Sequence, residues 1–215
     1  MDTLYHANTV TTSCSLVRSG VLLSRADLIA AHMLQTNQYT DDLDQEVGIF
    51  SDVFLDTVDI HACLRRHNNY GPVLFSFPLA FLRRAGGPGV SVTRSNPADW
   101  TTATPNEERW FCDFESLNRD FTRGNFAQII VLRTPGASLR FEAHLTRVVL
   151  DDPQLVLGGA DCFTTAQTAL LQAAQEGGLN LQIAKRNCDQ ACDCREAFAS
   201  NPRLVFKFFN PNVGG

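Results

Sequence analysis

The chain has 215 residues, 44% of them hydrophobic and 19% charged, a balance close to that of ordinary globular proteins and far from that of a disordered chain. Its formal net charge of -5 gives no general attraction for polyphosphate, which excludes a protein that coats nucleic acid through a basic field and leaves room only for a local site. The amino terminus has neither a basic flank nor an apolar run, and no stretch approaches the ~18 to 20 apolar residues of a membrane span. Seven scattered cysteines form no disulfide framework, so a cytoplasmic protein with reduced thiols is expected.

Leu4-Tyr5-His6-Ala7-Asn8-Thr9-Val10 reads as a strand. Thr11, Thr12 and Ser13 are capping residues, so a short helix is expected over 14–20, with Gly20 as its left-handed stop. A second helix is expected over 24–34, where Leu28, Ile29, Ala31 and Met33 give an imperfect apolar face. Residues 36–55 read as an acidic loop, because Asp41-Asp42-Leu43-Asp44 lacks the spacing and the glycine of a calcium loop and suits a solvated face. Gly71-Pro72 opens the clearest strand, 73–77, whose β-branched and aromatic residues run without charge and suit a central, buried position. Turns punctuate 86–105, and 106–120 reads as helical.

Strands are expected over 126–132 and 139–145, the second alternating apolar and polar residues after a Pro135-Gly136 turn, and together they suggest an antiparallel pair. A helix over 164–175 ended by Gly177-Gly178, a strand over 179–183 and a last strand over 203–208 complete the order. The irregular alternation argues against a doubly wound parallel sheet and for an α+β fold, a split mixed β-sandwich with flanking helices. One domain over 1–215 is expected, with no role assigned to the part from 150 onward. Gly86-Gly87-Pro88-Gly89 has neither the spacing of a phosphate loop nor a following Lys-Ser/Thr.

Two features carry chemistry. One is Tyr5-His6 on the first strand, followed by Thr9, a capped helix, Gly20 and Ser24-Arg25. The other is Glu142, set in an otherwise apolar 139–145, where alternation sends Phe141, Ala143 and Leu145 to one face and Arg140, Glu142 and His144 to the other. A carboxylate there costs free energy unless it is exposed or partnered, as in a cross-strand ion pair. This order of residues resembles the opening and the late glutamate of ADP-ribosyltransferases of the DarT type, over residues 3 to about 150.

The resemblance implies an ADP-ribosyltransferase-like sandwich that consumes NAD⁺. Tyr5, His6, Thr9 and Arg25 would contact the co-substrate, His6 through a ribose, and Glu142 would be catalytic. A carboxylate suits that role because loss of nicotinamide passes through an oxocarbenium-like ribose, which a fixed negative group stabilises. A guanidinium is also expected to grip the pyrophosphate bidentately. Arg65 or Arg66 is the first choice, since both precede the 73–77 strand much as the family's arginine precedes its own central strand; Arg25 is the reserve. The implied acceptor is a nucleic-acid base, DNA before RNA, in a toxin or phage-defence setting with a macrodomain-like antitoxin as partner. The sequence departs from the family at Leu74-Phe75-Ser76-Phe77-Pro78, where a Tyr-Phe-x-Pro-type motif is usual, and 95–100 matches the target-recognition region loosely.

Transfer to a protein side chain and simple NAD⁺ hydrolysis are rivals within the enzyme class, and a non-catalytic binding or antitoxin-type module is a rival outside it. Trp100, Trp110 and Phe111 suit either core packing or stacking on a base. The basic pairs Arg65-Arg66 and Arg83-Arg84 suit a solvated surface or a contact with a polyanion. Cys188-x3-Cys192-x-Cys194, with Cys162 as a possible fourth member, differs from the paired Cys-x2-Cys spacing of structural zinc, and no metal is assigned. A small zinc protein is the remaining rival.

Overall fold

In a computed structural model of the chain, residues 2–84, 89–188 and 190–211 are described. The strands are β1 (Thr3–Asn8), β2 (Val53–Leu55), β3 (Val73–Pro78), β4 (Gly89–Val92), β5 (Ile130–Arg133), β6 (Arg147–Asp151), β7 (Val156–Leu157), β8 (Ala160–Asp161) and β9 (Ile183–Arg186). The helices are α1 (Val10–Ser19), α2 (Arg25–Ala30), α3 (Asp41–Glu46), α4 (Ile60–Leu64), α5 (Phe81–Arg84), α6 (Asn106–Arg109), α7 (Phe114–Asp120), α8 (Phe141–His144), α9 (Cys162–Glu176), α10 (Cys194–Ser200) and α11 (Pro202–Phe209). None of them is long and apolar enough to cross a membrane.

The strands form a larger sheet in the order β1-β3-β6-β9, a smaller one in the order β2-β5-β4, and a β7-β8 hairpin. The uncharged run of β3 lies between β1 and β6, antiparallel to both, and every residue from Val73 to Phe77 is buried. β9 joins β6 in parallel through the α9 crossover. The two larger sheets meet at one bridge, where Tyr5 N donates to Asp56 O at 2.9 Å and Asp56 N donates to Tyr5 O at 2.8 Å. This is the split mixed sandwich with flanking helices that the patterning suggests.

The core joins the two ends of the chain. Leu4, Phe75, Phe77, Phe141, Leu170, Phe198 and Phe209 all belong to one buried cluster. Within it Phe141 stacks on Phe75 with centroids 5.3 Å apart, and Phe77 on Phe81 at 5.2 Å. Each such side chain stabilises the fold by about 1.5–3 kcal/mol. The α9 helix buries Phe163, Ala166, Leu170, Ala173 and Ala174 along one stripe, as a 3.6-residue period requires. It runs so close to α1 that a Cβ at Gly177 would meet Val17 O at 2.5 Å.

The helix over 14–20 is found as α1, begun four residues earlier by the Thr9 cap and stopped by Gly20 at φ 69. Several expectations differ from the structure: the strand over 126–132 is reduced to β5, the helix over 106–120 is broken into α6 and α7, the strand over 179–183 lies later as β9, and two expected strands are helical. The strand over 139–145 is instead a 3-10 turn followed by α8, so it cannot pair with 126–132; β5 lies between β2 and β4. Phe141 and Leu145 are four apart, and Leu145 N donates to Phe141 O as in a helical turn. The strand over 203–208 is α11, because Val205, Phe208 and Phe209 share a helical face, with Asn201 as cap and Pro202 in the first turn.

The acidic loop contains α3 and β2, and the turn-rich 86–105 contains β4. The Gly86-Gly87-Pro88 turn and the side chains of Arg83, Arg84, Ala143 and His144 lie outside the described residues.

Candidate active site

A cleft opens where the two larger sheets meet, lined by His6 and Asn8 of β1, Ser24 and Arg25 at the start of α2, Asp41 and Asp44 of α3, Phe54 and Asp56 around the end of β2, Tyr70, and residues 96–98. Ser24 fixes the entry of α2 through a capping box with Asp27, which sets Arg25 on the first turn. On the other wall Tyr70 is followed by Gly71, which packs against Asn8. The φ of Gly71 is 142, and a Cβ there would lie 2.2 Å from the Asn8 carbonyl carbon, so only glycine lets this loop cross the end of β1.

His6 has one tautomer. Its Nδ1 lies 2.9 Å from Phe54 O, and because a carbonyl only accepts, Nδ1 carries the proton. Nε2 then accepts from Asn8 Nδ2 at 3.0 Å. Burial pushes the imidazole pKa down against the raising effect of the Phe54 bond, and the charge of Arg25 lowers it further. The ring is neutral, with Nε2 turned to an amide that a ribose hydroxyl could replace.

Arg25 Nη2 donates to Asp41 Oδ2 at 2.6 Å, while its Nε and Nη1 have no hydrogen-bond partner among the described residues. Half of the guanidinium fork therefore keeps its donors for another acceptor. Asp44 is pushed up to about 6, mainly by burial, with Asp41 adding and the Thr40 hydroxyl and Arg25 opposing. Asp56 is pushed up to about 7 by burial, with a smaller push from Asp59. Burial also raises the phenol of Tyr70, whose ring stacks on Tyr39 at 5.9 Å.

Of the residues nominated from the sequence, the structure brings His6 and Arg25 together. Tyr5 lies beside the cleft and ties the sheets by its backbone. Thr9 is fully buried, accepting from Thr12 N and donating to Thr36 Oγ1 at 2.9 Å, which makes it the cap of α1 and not a wall of the cleft. Arg65 and Arg66 are exposed at the end of α4, where Arg65 O accepts from Asp193 N, and neither lines the cleft.

Glu142 is exposed on α8 and also does not line it. Its segment is nonetheless held beside the cleft wall: Leu22 N donates to Leu139 O and Phe141 N to Gly20 O, both at 2.8 Å, and Leu23 to Arg25 follow directly into the lining.

Asn8, Asp44, Asp56 and Tyr70 were missed. For Asp44 a signal existed, since Asp41 and Asp44 are three apart and share a helical face turned inward, while Asp42 faces solvent. Trp100 is core: it is 2% exposed, packs edge-on to Trp110 at 4.9 Å, and lies under Arg109.

No family model and no curated protein matches the sequence. Among solved structures, the fold is similar to that of Thermus sp. 2.9 DarT in complex with ADP-ribosylated ssDNA, with a TM-score of 0.52 at 10% identity over 86% of this chain and 93% of that one. It is likewise similar to Thermus sp. 2.9 DarT in complex with NAD⁺, with a TM-score of 0.50 at 11% identity over 86% and 94%. At these identities the likeness shows the fold.

Proposed function

We propose that the chain is an NAD-dependent ADP-ribosyltransferase that modifies a DNA base. The observation that carries this reading is the convergence, in one cleft, of a neutral His6 and an Arg25 with free donors, in a fold like that of an enzyme solved with NAD⁺ and with ADP-ribosylated ssDNA. His6 and Asn8 would take a ribose hydroxyl, and the buried, unpartnered Nε and Nη1 of Arg25 would take the pyrophosphate once the side chain turns outward, a role that passes to it from Arg65 and Arg66 because it lines the cleft. Residues 96–98, in the stretch that loosely matches a target-recognition region, border the same cleft and suit the acceptor side.

Glu142 is the carboxylate assigned to the transition state. As nicotinamide leaves with the bonding electrons, positive charge develops on the ribose, and a carboxylate held below it lowers the barrier and can take the proton of the incoming base nitrogen or oxygen. A macrodomain-like hydrolase that removes the modification is the partner this activity calls for, and the compartment of synthesis is its setting. The residues from 150 onward contribute α9, α10 and α11 to the same core, so we take the whole chain as the catalytic unit.

The test is incubation with NAD⁺ labelled in its adenylate half and a mixture of single-stranded DNA, RNA and protein. Label retained by DNA, with nicotinamide released, is the expected result. Label on protein or RNA would change the acceptor, and free ADP-ribose alone would make the chain a hydrolase. No thermal stabilisation by NAD⁺ would make it a binding module, since ligand at about 100 times its dissociation constant adds about 2.7 kcal/mol. The Glu142→Gln variant should fold normally and lose about 10²- to 10³-fold in nicotinamide release. Full turnover in Glu142→Gln, with loss in Asp56→Asn, would move the acid to the buried end of the cleft.

A further inference from the structure

Away from the cleft, four side chains from distant parts of the chain meet. His61 comes from α4, Cys188 and Cys192 from the segment after β9, and Cys194 from the first position of α10. One ligand atom of each lies within 4.8 Å of all the others. His61 Nε2 is 3.3 Å from both Cys188 Sγ and Cys192 Sγ, Cys192 Sγ is 3.1 Å from Cys194 Sγ, and Cys194 Sγ is 3.5 Å from Cys188 Sγ. All three cysteines are free thiols. We propose that these four residues bind one structural zinc ion that fastens the C-terminal segment to α4 and the edge of the larger sheet.

The four ligand atoms are close enough to share one ion. Bonds of about 2.3 Å to sulfur and about 2.0 Å to nitrogen place the ligand atoms of a zinc site about 3.5–3.8 Å apart. The four measured separations would open by about 0.2 to 0.7 Å to reach these values, and the remaining two are within 4.8 Å. Three thiolates and one imidazole are a borderline-soft set suited to zinc, and four protein ligands leave no open position, which marks a structural rather than a catalytic centre. The close spacing suits a single ion and not a multi-iron cluster.

The surroundings are built for such a ligand set. His61 Nδ1 lies 2.7 Å from Asp151 Oδ2, the carboxylate-histidine arrangement that fixes which ring nitrogen faces a metal. Asp151 is held by Arg186 Nε at 2.6 Å, and Arg186 Nη2 reaches Asp59 Oδ2 at 2.9 Å. On the other side Arg195 Nη2 donates to Cys188 O at 3.1 Å, and Asp193 N to Arg65 O at 2.8 Å. Cys162 is not a member; it is buried at the start of α9 within the core. Loading zinc converts three thiols to thiolates and releases their protons, and its binding free energy becomes folding free energy for the segment it ties down.

The test is the metal content of the chain purified under reducing conditions without a metal-binding tag, with cobalt reconstitution of the stripped protein as a second measurement. Expected are one zinc per chain, thiolate-to-cobalt charge-transfer and tetrahedral d–d bands, and a melting midpoint lowered by about 10 °C or more on chelation. Cys192→Ser and His61→Ala should lose the metal, and Cys162→Ser should keep it. Folded wild-type chain without zinc and without cobalt bands, iron in its place, a disulfide among the three cysteines, or equal loss in Cys162→Ser would each overturn the assignment. The wild-type measurement decides even if the ligand variants do not fold.

Discussion

The cleft and the cysteine cluster are both polar and partly buried, and they differ in where their donors and acceptors point. In the cluster four ligand atoms face one another around a common centre, and the groups behind them are paired in turn, His61 to Asp151 and Asp151 to Arg186. In the cleft the pairing stops halfway: Arg25 holds Asp41 with one nitrogen and leaves two others unbound among the described residues, and Asp44 and Asp56 are held near neutral pH by burial. A closed set of ligands serves stability. An open set keeps capacity for something that arrives and leaves.

The largest expected effect comes from Gly71→Ala. The new Cβ meets the Asn8 backbone at 2.2 Å in a left-handed conformation, so the variant should lose about 3 kcal/mol or more in urea denaturation. Gly48→Ala, at φ 77 with nothing within 4 Å, should lose only about 1 kcal/mol. Equal losses would show that the cleft wall is not built on the close approach of Gly71, and any zinc bound to the cluster should be unaffected in both.

Arg25 sharpens the contrast next. Arg25→Lys preserves a charge beside Asp41 and gives up the planar fork, so calorimetry should show NAD⁺ binding about 10- to 100-fold weaker, matching the ~1.5–3 kcal/mol of a charge-assisted hydrogen bond. Arg65→Ala should leave it unchanged. The reverse result would return the pyrophosphate role to the end of α4.

The smallest effect is a pH dependence. The folded-state pKa of Asp56 is raised to about 7, so between about pH 4 and 7 the folded chain binds more protons than the unfolded one, and stability falls as pH rises through that window. Asp56→Asn removes this proton, so the variant should gain on the wild type by a few kcal/mol at most near pH 8, with the advantage shrinking towards pH 4. A gap that does not change with pH would remove Asp56 from the buried acids of the cleft.

How much of this was legible in the sequence depended on whether a residue's role was local. The Gly20 stop of α1, the uncharged run of β3 and the helix α9 are set by neighbours a few positions away, and the patterning finds them, whereas it takes Thr11 to Ser13 as the cap and so misses the Thr9 start of α1. In 203–209 the alternation of Leu204, Phe206 and Phe208 imitates a strand, yet the Asn201-Pro202 cap already announces a helix, so the signal was there and was outweighed. His6 and Arg25 were found through the resemblance of the opening segment to ADP-ribosyltransferases, Arg25 only as a reserve, and not through any local pattern. Asp56 and Tyr70 were not found, because what distinguishes them is a wall formed by chain segments far apart in sequence. His61 completes the cluster from more than a hundred residues upstream, and spacing among cysteines has no means of pointing to it.

The junction of the two larger sheets has a mechanical consequence. A pair of backbone hydrogen bonds between Tyr5 and Asp56 joins them, and the adjacent residues His6 and Phe54 form part of the cleft. Behind that seam Leu4 and Phe75 of one sheet and Leu55 and Leu132 of the other share a single buried cluster, and His6 Nδ1 donates to Phe54 O across it. The two walls of the cleft are therefore set by the same packing that holds the fold, and a molecule seated across the seam would find its partners already spaced.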